Sequence, residues 1–205
     1  MKPGLMLVLF VALLLLVAVG LVGVGIYNGL VTKEQAVDSA WAQVQNVYQR
    51  RADLIPNLVE TVSGAANFEK STLTEITAAR ASVGQVKLDP EKAPGDAAKL
   101  AEFQKAQEQL SGALSRLMVV VERYPALTAT TNFRDLQAQL EGTENRITVE
   151  RGRFNEAVRE FNTAVKSFPN SLLANRYGFA PKPYFTAQPG AEKPPAVKFD
   201  FGKQK

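Results

Sequence analysis

The stretch Leu5–Ile26, LMLVLFVALLLLVAVGLVGVGI, carries no charged or amide side chain. At about 1.5 Å per helical residue it spans roughly 33 Å, enough to cross the hydrocarbon core of a bilayer. It predicts a transmembrane helix over 5–27, behind a short leading segment 1–4, with the chain from Asn28 onward facing water. The competing reading is a cleaved secretory signal, with Lys2 as its charged region and Ala18-Val19-Gly20 as the small-x-small cut. Two features favour the uncleaved anchor. The run is longer than the roughly 7–15 residues of a signal's apolar region, and it continues past the cut through Leu21, Val22, Val24 and Ile26.

Basic residues beside a span set its orientation, and here they nearly balance, with Lys2 on one side and Lys33, Arg50 and Arg51 on the other. A short basic N-terminus kept inside is the simpler route, which puts the folded part on the extracytoplasmic side. Gly25 and Gly29 form a GxxxG spacing that lets two membrane helices approach. Glycines are also ordinary in such spans, so the spacing alone does not require a homo-oligomer.

Composition excludes whole classes of chemistry. The chain has neither cysteine nor histidine. Disulfides, Cys-ligated zinc and iron–sulfur sites, Ser-His-Asp and Cys-His catalysis, and the Glu-x-x-His pairs of di-iron bundles are therefore all out of reach. Net charge is only +4, and Lys and Arg alternate with Asp and Glu in KEQAVD and ERGRFNEAVRE. That pattern describes solvated helix faces and not a stripe tracking phosphates, so nucleic acid is not an expected partner. No catalytic, cofactor-binding or metal-ligating residue is assigned.

Apolar residues recur at steps of three and four throughout. One stripe runs Val37, Trp41, Val44, Tyr48, Ile55, Leu58 and Val62, with Arg51 in an intervening position. Pro56 predicts a break around Leu54–Asn57, and a second helix carrying Leu58, Val62, Leu73, Ile76 and Val83. The loop GQVKLDPEKAPGD, residues 84–96, follows. A third stripe, Leu100, Phe103, Ala106, Leu110, Leu114, Leu117 and Val121, ends near Tyr124-Pro125. The last is the longest: Phe133, Leu136, Leu140, Ile147, Phe154, Val158, Phe161, Val165 and Phe168, closed by Pro169.

Strand signals are almost absent, so the fold class is all-α. The expectation is an N-terminal transmembrane helix, then an antiparallel four-helix bundle of long, coiled-coil-like helices over 28–170. An irregular Pro-rich C-terminal segment, 171–205, completes it. Tyr177, Phe179, Tyr184 and Phe185 are expected to pack back onto the bundle, and the distal EKPPAVKFDFGKQK to be a disordered tail or a docking peptide.

The stripes also skip. Arg51, Thr143 or Glu144, and Arg151 fall where apolar residues belong, which predicts a polar layer inside or at the rim of the bundle. A ligand site and a buried ion pair that fixes helix register are both open, and the missing cofactor chemistry favours the second. Arg50, Arg51 and Asp53 precede the break, where Asp53 suits the next helix's N-terminus. Asn57, Glu144, Asn155 and Asn162 are candidate interhelical hydrogen-bonders.

YNGLVTKEQAVDSAWAQV, RRADLIPNLVETVSG, QLSGALSRLMVVVERYP, LEGTENRIT, FNEAVREFNTAVKSFP and GFAPKPYF, in this order, resemble the LemA family of bacterial membrane proteins. The resemblance implies a single-pass anchor in the bacterial cytoplasmic (inner) membrane and an antiparallel bundle. It brings no enzyme activity and no catalytic residue. It suggests as partners membrane quality-control proteases of the HtpX type or other small membrane proteins, and a magnetosome relative is linked to membrane remodelling. The function expected is a membrane-anchored, non-catalytic scaffold or adaptor for other membrane or envelope proteins. The alternative is a self-associating protein that shapes or supports the bilayer. A carboxylate-only enzyme stands last, since no positioned Asp/Glu pair is marked.

Overall fold

A computed structural model describes residues 3–65, 68–89 and 92–186. The distal EKPPAVKFDFGKQK therefore lies outside the described residues. Six helices make up the regular structure there: α1 (Pro3–Ser63), α2 (Lys70–Gln85), α3 (Ala97–Val121), α4 (Pro125–Thr128), α5 (Thr131–Lys166) and α6 (Asn170–Tyr177). The expected all-α class holds. The long helices run alternately away from and back toward the apolar N-terminal stretch, with α1 packed closely on α5 and α2 on α3.

The expected break at Pro56 does not occur. α1 is one helix from Pro3 to Ser63, so Leu58 and Val62 belong to it and not to the helix carrying Leu73, Ile76 and Val83. Proline removes the amide that would bond to the carbonyl four residues back. That carbonyl belongs to Ala52, and Arg80 of α2 donates its Nε to it at 3.2 Å. A neighbouring side chain replaces the missing donor and the helix continues. Asp53 consequently lies inside a helix and not at an N-terminus; it accepts from Gln49 Nε2 at 2.7 Å.

From Leu30 onward the buried positions of α1 keep a heptad spacing: Val37, Trp41, Val44, Tyr48, Arg51, Ile55, Leu58 and Val62. α5 repeats it with Phe133, Leu140, Ile147, Phe154 and Phe161. Caps fix the ends of the return helices. Asp96 accepts from Ala98 N at 2.8 Å to start α3, and Thr130 Oγ1 accepts from Phe133 N at 3.4 Å to start α5.

These stripes enclose two apolar cores. The near core, on the side of the apolar stretch, gathers Trp41, Tyr48, Phe103, Phe154, Phe161 and Phe185 around Leu30, Val37 and Val158. The far core is mostly aliphatic: Ile55, Leu58, Ile76, Leu110, Leu117, Val121 and Leu140, with Phe68 and Phe133. The segment expected to be irregular from residue 171 instead begins within a helix, α6, which starts at Asn170. Gly178 then takes φ +80°, a left-handed turn that glycine adopts without a Cβ clash, and the chain reverses along the bundle.

Candidate functional site

The predicted polar layer exists, and it separates the two cores. Arg51 is 1 % exposed. Its Nη1 donates to Ser111 Oγ at 2.7 Å and to Glu144 Oε1 at 2.6 Å. Its Nη2 donates to the Gln107 carbonyl at 3.3 Å and also to the Gln107 side-chain oxygen. The guanidinium carbon lies 5.1 Å from the centre of the Tyr48 ring. One α1 side chain thus ties α3 and α5 together. A planar fork of donors suits that task, because several fixed acceptors are met at once. The Arg51 Nε is buried with no partner in the structure, so desolvation of the group is only partly compensated. Glu144 is 44 % exposed on its side chain, which lets water share the carboxylate.

Arg151 makes none of the Arg51–Glu144 contacts, but it hydrogen-bonds the side chain of Tyr48, whose ring Arg51 also faces. Arg151 sits nearer the apolar stretch, donating to the Thr186 carbonyl at 3.1 Å and covering the Phe185 ring at 4.7 Å. Thr143 is buried but bonds within its own helix, to the Gln139 carbonyl at 2.7 Å. Burial pushes the Tyr48 phenol above its ordinary value of 10.0, partly opposed by the positive charges of Arg151 and Arg51.

Asn155 and Asn162 do make interelement hydrogen bonds, but to a different partner. Asn162 donates Nδ2 to the Lys182 carbonyl and accepts Lys182 N–H, both at 2.8 Å. Asn155 does the same with Phe185, at 3.0 and 2.9 Å. Gln104 of α3 repeats the pattern on Thr186, donating at 2.8 Å and accepting at 3.4 Å. Three side-chain amides therefore satisfy the backbone of Lys182, Phe185 and Thr186 as a neighbouring strand would. The ammonium of Lys182 meets Glu34 at 3.0 Å and Asp38 at 3.9 Å, and Phe185 is buried beside Trp41 and Phe154. Asp38 also accepts from Ala93 N at 2.9 Å, so one carboxylate holds both the α2–α3 loop and the returning tail.

Phe179 packs on the near core as expected, whereas Tyr184 stays 41 % exposed. Tyr177 is also exposed, its ring edge-on to Tyr27 with centroids 5.1 Å apart. Asn57 is not an interhelical bonder in this set. It is exposed and lines a cleft of about 920 Å³ at the far tip, with Glu60, Arg123, Tyr124, Leu127 and Asn132.

Gln104, Gln107 and Ser111 are the site residues that sequence reading missed. The α3 heptad, continued from Leu100 and Phe103, lands on Gln107 and Leu110, so the same skip that exposed Arg51 was present there. Ala106, beside it, is buried as expected, and its apolar character masked the polar neighbour.

The family model for LemA matches residues 40–199. This chain belongs to the LemA family. The match begins at Ala40, beyond the apolar run, so the span rests on its own length and composition. Among relatives, a magnetosome protein, MamQ, of Magnetospirillum gryphiswaldense is 27% identical over 183 residues, covering 82% of this chain and 67% of that protein. Magnetosome protein MamQ 2 of Paramagnetospirillum magneticum is 26% identical with the same coverage. Protein LemA of Metamycoplasma hominis is 23% identical over 153 residues, 75% of this chain and 65% of that one. The chain thus spans about two thirds of the length of these relatives. Among the described residues one helix, α1, is long and apolar enough to cross a membrane, and its apolar part is exposed up to Val22. Family and helix together fit a membrane-associated protein.

Proposed function

We propose that this LemA-family chain is an uncleaved, single-pass protein of a bacterial cytoplasmic membrane, with its bundle on the extracytoplasmic side. It serves as a non-catalytic scaffold for other membrane or envelope proteins, a protease of the HtpX type being the partner that the family resemblance suggests. The observation carrying this reading is the continuity of α1. The same helix that fills a bilayer's thickness runs on through both cores, about 55 Å from Tyr27 to Ser63 at ~1.5 Å per residue. With no loop between span and bundle, the far tip and its cleft stand at a fixed distance from the membrane. Such a rod suits presentation of a surface to neighbours better than turnover of a small molecule. A cut at Gly20 would leave Leu21, Val22 and Val24 as a bare apolar end, while Leu30 lies buried in the near core.

Self-association is the second reading. A Cβ added at Gly25 or Gly29 meets nothing within 4 Å, so that face of α1 is open to a second copy. Photo-crosslinking in living cells separates the two, with the reactive residue at Asn57 or Asn132 in the cleft and at Lys105 as a mid-bundle control. A discrete adduct from the cleft positions alone supports the scaffold. An adduct at about twice the 22.3 kDa of the chain supports self-association. A C-terminal reporter active only in the cytoplasm overturns the orientation, and equal diffuse labelling at all three positions overturns the scaffold.

A further inference from the structure

The helix α6 is short, and its surface is unusual for one facing water. Phe168, just before it, is 81 % exposed, Leu172 65 % and Tyr177 59 %. Large apolar groups grouped this way mark a contact surface. Their position along α1 identifies the contact. Leu173 Cδ1 lies 3.9 Å from the Cβ position of Gly23, which is inside the apolar run. Tyr177 and Phe179 meet Tyr27, one residue past the end of that run, with ring centroids at 5.1 and 5.7 Å. α6 is therefore held at the level where α1 passes from lipid-type to water-type composition.

We infer that α6 and the preceding Phe168 are seated in the interfacial layer of the bilayer, as a second membrane contact beside the span. The occupant of this surface is lipid, because the patch is continuous with the exposed apolar surface of α1. Its chemistry agrees. Tyrosine and other aromatic rings partition to the headgroup level, as Tyr27 and Tyr177 are placed to do. Exposed Lys166 and Arg176, within the last turns of α5 and α6, are of the kind that extends to lipid phosphates. Gly178 then reverses the chain so that residues 182–186 return to the bundle, which couples the seated helix to the amide ladder on α5. Two contacts fix the tilt of the rod where a lone span would leave it free.

This inference rests on the membrane-span reading, and the test distinguishes the two. The chain has no cysteine, so single cysteines at Phe168, Leu172, Val17 and Glu122 each take an environment-sensitive NBD label. The full chain is reconstituted in phosphatidylcholine–phosphatidylglycerol vesicles containing lipids with quenchers at set depths. Expected is severalfold brighter emission at 168 and 172 than at 122, quenched best by the shallow quencher, with 17 quenched best by the deep one. Deep quenching at 17 with water-like, unquenched emission at 168 and 172 overturns the seating of α6 and leaves the span intact. Unquenched emission at 17 overturns both.

Discussion

The two cores on either side of Arg51 are built by different means. In the far core α1, α2, α3 and α5 each contribute a face, joined by Leu127 of α4, and the contacts are mostly aliphatic. α2 supplies the fourth wall, aided by exposed pairs of Arg116 with Glu75 and of Arg123 with Glu69 at 3.0 Å. In the near core α2 has ended. Its place is taken by the α2–α3 loop and the returning tail, which offer no helical ridge. Aromatic rings fill the space between them, and backbone groups that a helix would satisfy internally are satisfied by Asn155, Asn162 and Gln104. The lesson is that a bundle can close a wall with extended chain, provided that side-chain amides stand in for the missing ladder.

The largest effect that tests this contrast is Trp41→Ala. It removes the ring shared by Phe103, Phe154 and Phe185 and is expected to cost about 4 kcal/mol. Denaturant unfolding measures the loss, and limited proteolysis should show the tail cleaved first. Preferential cleavage at the α1–α2 or α3–α4 turns of the far core would break the contrast.

Arg51→Met is expected to cost about 3 kcal/mol, since Gln107 and Ser111 lose a donor in a buried layer. The double variant Arg51→Met, Gln107→Leu should regain most of that, because an apolar layer leaves fewer polar groups unsatisfied. If the double variant unfolds with the same loss as the single one, the layer is more than a register device.

Asn155→Ala is expected to cost about 2 kcal/mol through its two bonds to Phe185. Hydrogen exchange should speed up at residues 182–186 while the far core stays protected. Uniform acceleration across both cores would mean that the tail is integral to the whole bundle and not a wall of one half.

The smallest effect is the pH dependence of Tyr48. Its phenol is raised above 10.0 in the folded state, so its contribution is complete below 10.0 and is lost as pH rises through the folded value. Tyr48→Phe should therefore flatten the alkaline decline of stability in urea titrations above about pH 10. An unchanged alkaline slope would place the titration elsewhere.

Arg51 and Glu144 were legible from a break in the heptad, since a charged residue at an inward position has to be paired or expelled. The amide ladder was legible only halfway. Asn155 and Asn162 stand seven residues apart on one face of α5, which marks them as a pair, but nothing local says that they bind a tail twenty or thirty residues on. Pro56 shows the same dependence on a remote partner. Its local cost was real, and the donor that offsets it, Arg80, comes from another helix.

Periodicity and the charge-free run at the front dictated the helical class, the long apolar helix and the polar layer, because those depend on which residues share a face within one segment. Tertiary structure alone decided that the apolar run and the bundle share a single helix, that Arg151 turns to Tyr48 and the returning tail and not to Glu144, and that α6 returns to the level of Gly23. Each of those outcomes depends on a partner remote in sequence, and the spacing of residues along one helix carries no information about what packs against it.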